Sequence, residues 1–337
     1  MSNLQQVAHA TGLAVTTVSE ILRRKPGYNE ATCKRVLAEA KRLGYRPNAV
    51  ARQLRGGRSG VLGVLIGLDD PQVNLDRLAR LEHLAFERGY RLLVGQVREG
   101  DQKAALYLED FAARGVDGLL WLHQPFQKTR RLSADLVNRL GAVVALDEPL
   151  TVGGGCVRID YAAGIQLAVY HLHETGRRRI GLALAGPGQK GDPLQQRRLG
   201  YLRAMENLGV VTSPDHVWLG DMVEQPTPLL VGRALEQLVH RGKADALLAS
   251  NDLWAAAFLR ALRKDGLRVP EDVAVVGFDN LAFSALLDPA LTTLDQDHEA
   301  FARHTLDLMV NALQGGKIPK AKRMVTVIPR LVVRDSA

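Results

Sequence analysis

The stretch VAHATGLAVTTVSEIL, residues 7–22, carries two short apolar stripes at helical spacing around a single glycine. Val7 and Ala8, with Leu4 before them, make the first stripe; Val18, Ile21 and Leu22 make the second; Thr11 and Gly12 interrupt them. Ala8, Gly12 and Val18 put a small residue where two helices touch, a glycine at the turn and a branched apolar residue on the second helix. Those are the steric needs of a helix-turn-helix, and because the residue types are common the surroundings must decide. A third stripe follows in Cys33, Val36, Leu37, Ala40 and Leu43. Pro26-Gly27 breaks the chain before it, Asn29 is a good N-cap for it, and Gly44 ends it. The spacing therefore predicts a three-helix head over residues 1–46.

Charge points the same way. Residues 1–60 hold eleven Lys/Arg against three Asp/Glu, whereas residues 61–337 hold 33 of each sign, so the formal net charge of +8 belongs to the head. A basic head on a neutral body is an electrostatic footprint for a polyanion, most often nucleic acid. After Pro47 comes Asn48-Ala-Val-Ala-Arg-Gln-Leu-Arg55, closed by Gly56-Gly57. This linker, residues 47–59, is helix-capable but too short to be stable alone.

From Val61 the pattern changes to alternating strand and helix. VLGVLIG, YRLLVGQV, VDGLLWL, AVVALD, RIGLALAG, ADALLAS and VAVVGFD are short apolar runs bounded by Gly, Asp or Pro, as buried parallel strands should be. Between them lie amphipathic stretches at Asn74–Arg88, Gln102–Arg114, Ser133–Leu140, Tyr161–Thr175, Arg197–Leu208, Pro228–His240 and Leu253–Asp265. Such α/β alternation is long enough for two parallel sheets with a core each. Ligands of open α/β sheets bind beyond the carboxyl ends of the strands.

Several other chemistries fail on spacing. Gly153–Gly155 and the glycines of 186–191 do not follow the phosphate-loop order, which places a lysine at a helix start. His171 and His173 stand two apart on a helix and face different ways, so no metal is expected. No G-x-S-x-G elbow occurs, and nothing suggests a cofactor or an enzyme. Cys33 and Cys156 fall in different domains, which argues against a disulfide and fits a reducing compartment. With no leading apolar run of signal-peptide length and no run of 18 apolar residues, a soluble cytoplasmic protein without membrane contact is expected.

Residues 7–66, VAHATGLAVTTVSEILRRKPGYNEATCKRVLAEAKRLGYRPNAVARQLRGGRSGVLGVLI, resemble the DNA-binding head of the lactose/galactose repressor family. GYRLLVG, RGVDGLL, HETGRRRIGLALAG, QRRLGYLRAM, SNDLWAAAFLRAL, GLRVPEDVAVVGFDN and PALTTLDQ extend the resemblance to the family's two-lobed core, which is like a periplasmic binding protein. The resemblance implies a second helix in the major groove, with Val15 and Thr16 reading bases and Thr17 and Ser19 beside them. Glu20 departs from the basic residue common there and implies an altered half-site; Arg23, Arg24 and Lys25 replace an Asn-Gly turn and add phosphate contacts. Asn29, Tyr45, Ala51, Arg52 and Arg55 fall on backbone-contact or hinge positions, and Leu54 on the hinge leucine that wedges into the minor groove at the operator centre.

In the core, the resemblance implies lobe 1 at about 60–160 and 291–321 and lobe 2 at about 161–290 and 322–337, with crossings near 160, 290 and 322. It assigns Asp147, Arg197, Met222, Asn251 and Asp279 to an effector cleft. Asp70-Pro71-Gln72-Val73 stands where family members often carry an aromatic pair, so Asp70 and Gln72 offer hydrogen bonds there instead, unless Trp121 or Phe126 supplies a ring. The expected function is a transcription regulator, most simply a repressor, whose affinity for a palindromic double-stranded operator is set by a small effector, first of all a sugar or sugar derivative. A homodimer through the core is expected, because a two-fold protein matches a palindromic site and one head supplies only a small interface; the last residues carry no heptads that would zip dimers into tetramers. The alternatives are a sugar-sensing module without gene control and a regulator that answers to a purine.

Overall fold

The computed structural model describes residues 4–22, 27–45, 58–67, 71–97, 103–122, 133–147, 154–185, 193–220, 226–315 and 323–337. The chain divides into two compact units, Met1–Ser59 and Gly60–Ala337.

In the first unit, α1 (Leu4–Thr11), α2 (Val15–Leu22) and α3 (Glu30–Arg42) enclose Val7, Ala8, Val18, Ile21, Val36 and Ala40. Gly12 has a φ of 66°, in the left-handed region where a side chain would be strained, and the N–H of Leu13 closes the turn onto the carbonyl of Ala8 at 3.1 Å. Asn29 caps α3 through its side-chain oxygen, which accepts from the Ala31 N–H at 2.8 Å. Leu37 departs from the expected stripe and is exposed, because it stands about 100° around the helix from Val36 while Ala40 and Leu43 continue the buried line.

The second unit holds two six-stranded sheets. The first half of its chain runs β1 (Val61–Gly67), α4 (Pro71–Glu87), β2 (Arg91–Val97), α5 (Lys103–Ala113), β3 (Gly118–Leu122), α6 (Ala134–Leu140), β4 (Ala142–Leu146) and β5 (Gly155–Ile159). Then come α7 (Tyr161–Glu174), β6 (Ile180–Leu184), α8 (Pro193–Asn207), β7 (Val217–Leu219), α9 (Pro228–Leu235, continued to Arg241 by a wider π-type turn), β8 (Ala246–Leu248), α10 (Asp252–Lys264) and β9 (Ala274–Phe278). The last part is β10 (Thr292–Asp295), α11 (His298–Leu313), β11 (Met324–Val327) and β12 (Arg330–Val332).

Lobe 1 is built on the order β11-β5-β4-β3-β1-β2 and lobe 2 on β12-β10-β9-β8-β6-β7; all pairings are parallel except β10 with β12. Helices cover both faces, so central strands are buried throughout and read as unbroken apolar runs.

The chain crosses between lobes at Asp160, as expected, but the other two crossings are displaced. The second lies at Gln296–Asp297 rather than near 290, because Thr292–Asp295 pairs with β9 and so completes the lobe 2 sheet. The third lies at Ile328–Pro329 rather than near 322, because Met324–Val327 pairs with β5 in lobe 1 and only β12 returns to lobe 2. In lobe 2, α7 and α8 touch backbone to backbone: a Cβ on Gly200 would stand 2.5 Å from the Ala162 carbonyl oxygen.

Candidate nucleic-acid interface and ligand cleft

In the head, Val18 and Ile21 hold α2 against the other helices and leave its first turn outward, with Val15 and Thr16 exposed and Thr17 and Ser19 half-buried. Glu20 is not a loose side chain: its carboxylate accepts from the Tyr28 hydroxyl, and that bond keeps the phenol above its usual titration range. Asn29 spends its side-chain oxygen on the α3 cap, and Tyr45 packs on the head core. Arg23, Arg24, Lys25, Ala51, Arg52, Leu54 and Arg55 lie outside the described residues.

In the second unit, a buried polar cluster forms where two of the crossings meet the carboxyl ends of the strands. Arg197 enters from α8, which is pinned to β6 by the Tyr201 hydroxyl on the Ile180 carbonyl at 2.7 Å. Its guanidinium carbon lies 3.7 Å from the centre of the Phe278 ring and 5.1 Å from that of Tyr161, and its Nη1 donates to the Ser250 carbonyl. A cation on two ring faces gains cation–π attraction, more when desolvated as here. Asp279 follows β9 at a φ of 112°, a costly conformation for a residue with a side chain. Its backbone N–H donates to the Leu294 carbonyl at 2.7 Å, and its Oδ1 accepts from Gln296 Nε2. Gln296 Oε1 in turn accepts from Arg77 Nη2 at 2.6 Å, so a side chain of lobe 1 is tied through an amide to a carboxylate of lobe 2.

Asp147 is buried beside the first crossing, also at positive φ (61°). Its Oδ1 accepts from the Ile159 N–H at 3.0 Å and its Oδ2 from the Tyr161 hydroxyl at 3.4 Å. Burial, followed by the nearby Asp147 carboxylate, lifts the Tyr161 phenol well above its ordinary range, and the Arg77 and Arg197 cations oppose that rise. Tyr161 is therefore a neutral hydroxyl. His298, at the start of α11, is buried near Arg77 and Arg80; desolvation first, and those cations second, push its ring down to about 3, so at neutral pH it offers one donor and one acceptor.

The expected cleft residues thus separate. Arg197 and Asp279 are in the cluster, and Asp147 adjoins it with both oxygens engaged. Asn251 is the N-cap of α10, its oxygen accepting from the Trp254 N–H at 3.0 Å. Gln72 is exposed on the first turn of α4, since that helix starts at Pro71 instead of Asn74, a position where the missing proline N–H costs nothing. Trp121 is buried in the lobe 1 core. Asp70, Phe126 and Met222 lie outside the described residues.

Sequence reasoning missed Arg77, Tyr161, Phe278, Gln296 and His298. For Arg77 a signal existed: Val73, Arg77, Leu81 and Ala85 recur every four residues and all are buried, so an arginine sits on the apolar stripe of α4. Among the described residues no group of three or more His, Cys, Asp or Glu could hold a metal ion, Cys33 and Cys156 form no disulfide, and no helix is long and apolar enough to cross a membrane.

Residues 169–337 match the family described as periplasmic binding protein-like domain, and residues 3–48 that of bacterial regulatory proteins, lacI family. The chain is similar to the HTH-type transcriptional repressor PurR of Aliivibrio salmonicida (strain LFI1238), at 27% identity over 337 residues covering 100% of this chain and 99% of the relative. It is similar to the ribose operon repressor of Escherichia coli (strain K12), at 28% over 345 residues and 100% of both chains. The solved lac repressor dimer bound to operator and the anti-inducer ONPF has the same fold, with a TM-score of 0.76 at 22% identity over 99% of this chain and 98% of that one.

Proposed function

The chain belongs to the lacI family of bacterial regulatory proteins, with a periplasmic-binding-protein-like core, and from that premise we propose that it is a transcription regulator, in the first instance a repressor, with operator affinity set by a small metabolite in the cleft. The observation that carries the effector half is the seating of Arg197 on Phe278, with Asp279 one amide away from Arg77 of the other lobe. A ligand that touches both lobes there changes their relative free energy, and only such differential contact can move a conformational equilibrium. DNA and metabolite affinities are then coupled by one factor in both directions.

On the DNA side, the exposed Val15 and Thr16 support base reading, a methyl contact to thymine from the first and a hydrogen bond from the second. Glu20, with Tyr28 fixing its carboxylate, presents an acceptor suited to cytosine N4. Arg23, Arg24, Lys25, Arg52 and Arg55 supply phosphate contacts and Leu54 the minor-groove wedge, in a homodimer matched to a palindrome and acting in the cytoplasm. The roles of a regulator account for the cluster without turnover, so the chain is read as no enzyme.

The experiment is selection of a duplex from a random library, followed by fluorescence anisotropy titrations at several salt concentrations with and without sugars, sugar acids, sugar phosphates, polyols and purines. A selected site with strong salt dependence and an affinity that one metabolite shifts supports the proposal. Binding that ignores sequence would defeat the regulator, and an affinity unmoved by the whole panel would defeat the metabolite control.

A further inference from the structure

The base that one side chain of α2 meets can be inferred from the head, resting on the operator-binding reading proposed above. Between α2 and α3 the chain brings a phenol to a carboxylate: the Tyr28 hydroxyl donates to Oε2 of Glu20. The two residues stand eight apart in sequence, so the bond joins the loop before α3 to α2 and is not a contact within one helix. Tyr28 is itself anchored. Its ring packs, half-buried, on the head core, and the next residue, Asn29, is fixed as the N-cap of α3. Glu20 also stands on the outward face. At about 100° per residue, Thr16 and Glu20 are about 40° apart around α2, on the side turned away from the buried Val18 and Ile21. The carboxylate that Tyr28 holds is therefore the helix-surface neighbour of the exposed Thr16 one turn earlier.

An ionised carboxylate has about four acceptor sites, so one bond from Tyr28 orients the group without exhausting it. Among the four bases, only cytosine shows a major-groove edge with a donor and no acceptor. Guanine presents two acceptors, thymine an acceptor and a methyl, and adenine an acceptor next to its donor, each of which opposes a carboxylate. A rotating glutamate loses side-chain freedom on meeting a base, and one already held loses less.

We propose that Tyr28 is a positioning residue that presents Glu20 to a cytosine, so that each operator half-site carries a C·G pair there with the cytosine on the strand facing Glu20. The Tyr28–Glu20 bond then sets base choice at one position and leaves the other positions to Val15 and Thr16. A tie that served only to fasten the loop before α3 to α2 would act on every position alike.

The test uses the full-length protein and the duplex selected as above, with all four base pairs placed in turn at each half-site position and affinity read by fluorescence anisotropy at constant salt. One position should prefer C about tenfold over each alternative, the discrimination expected of one specific base contact. Glu20→Gln should turn the preference at that position to A, because a glutamine pairs with adenine N6 and N7, and should leave the other positions unchanged. Tyr28→Phe, which keeps the ring and removes the hydroxyl, should reduce the preference for C roughly threefold, the size of one modest hydrogen bond, while the ratios at all other positions hold. Equal losses at every position in Tyr28→Phe, or none, would overturn the positioning role. A Glu20→Gln protein with unaltered preferences, or one whose altered position began with a base other than C, would overturn the base assignment; both results leave the regulator standing. Failure of any duplex to be enriched over random sequence would defeat the regulator reading itself, and this inference with it. Because Glu20→Gln is read as a change of preference and not as a loss, it stands even if Tyr28→Phe weakens the head.

Discussion

Asp252 is fully buried at the first position of α10, and its environment makes a pH-dependent prediction that can be worked through. Its Oδ2 accepts from the Leu281 N–H at 2.7 Å and from the Ser284 hydroxyl, and its Oδ1 from the Thr293 hydroxyl, so one carboxyl joins α10, the turn after β9 and β10. Desolvation is the largest influence and outweighs these three donors, pushing the group from an ordinary 3.8 up to about 6. The native state therefore holds a proton that the unfolded state releases between those two values, and stability falls as pH rises through that window.

At about 1.4 kcal/mol per unit, the whole shift is worth roughly 3 kcal/mol, of which a little over 2 kcal/mol is realised between pH 7 and pH 4. Asp252→Asn removes the titration and keeps the shape. Its oxygen can take Leu281 and Ser284 while the Thr293 hydroxyl turns to accept from its amide. The assay is urea unfolding of both proteins at half-unit pH steps, followed by tryptophan fluorescence; Trp254 is in the same first turn of the helix and packs tilted, at 47°, against Trp218, with centroids 5.2 Å apart. Wild type should gain on the variant by roughly 2 kcal/mol or a little over as pH is lowered from 7 to 4. Parallel stabilities across that range would refute the buried-carboxyl account.

Gly200→Ala should destabilise the core by about 1–3 kcal/mol, visible as a lowered unfolding midpoint, because its Cβ has only the Ala162 carbonyl to occupy and the two helix backbones must separate. Arg197→Ala and Asp279→Ala should each abolish the response of operator binding to metabolite while DNA binding itself persists; a normal response in both would remove the cleft assignment. Leu54→Ala should weaken specific operator binding and leave metabolite affinity unchanged, and an undiminished operator affinity would defeat the wedge assignment.

Much of the architecture was legible in the chain because it rests on local signals. The three head helices follow from stripes and punctuation within residues 4–44, and central strands such as Gly118–Leu122 and Ala274–Phe278 follow from apolar runs that burial on both faces requires. Strands β5, β7, β10, β11 and β12 were not legible: β7 has only three residues, and the others, at three to five, carry Arg158, Thr292, Thr293, Thr326 or Arg330, so none presents a run long enough to stand out. Helix α11 also escaped, its stripe interrupted by His298, Thr305 and Asp307. Both misplaced crossings followed from those omissions, since strand membership is a matter of hydrogen-bond partners far away in sequence.

The cleft divides in the same way. Arg197 and Asp279 stand in motifs that mark the ends of strands and starts of helices, so the sequence by itself determined their placement at the carboxyl edge of a sheet, as it determined the basic head and the alternating core. The partners were decided only by tertiary structure. Arg77 and Gln296 are 219 residues apart and meet because α11 returns to lobe 1 immediately after β10 leaves lobe 2. Local spacing can say that a guanidinium lies on an apolar stripe; whether it is buried against a carboxylate, an amide or a ring depends on segments brought together by packing. Desolvation, which acts on the whole three-dimensional surround, then decides that Tyr161 and His298 are neutral and that Asp252 holds its proton up to about 6.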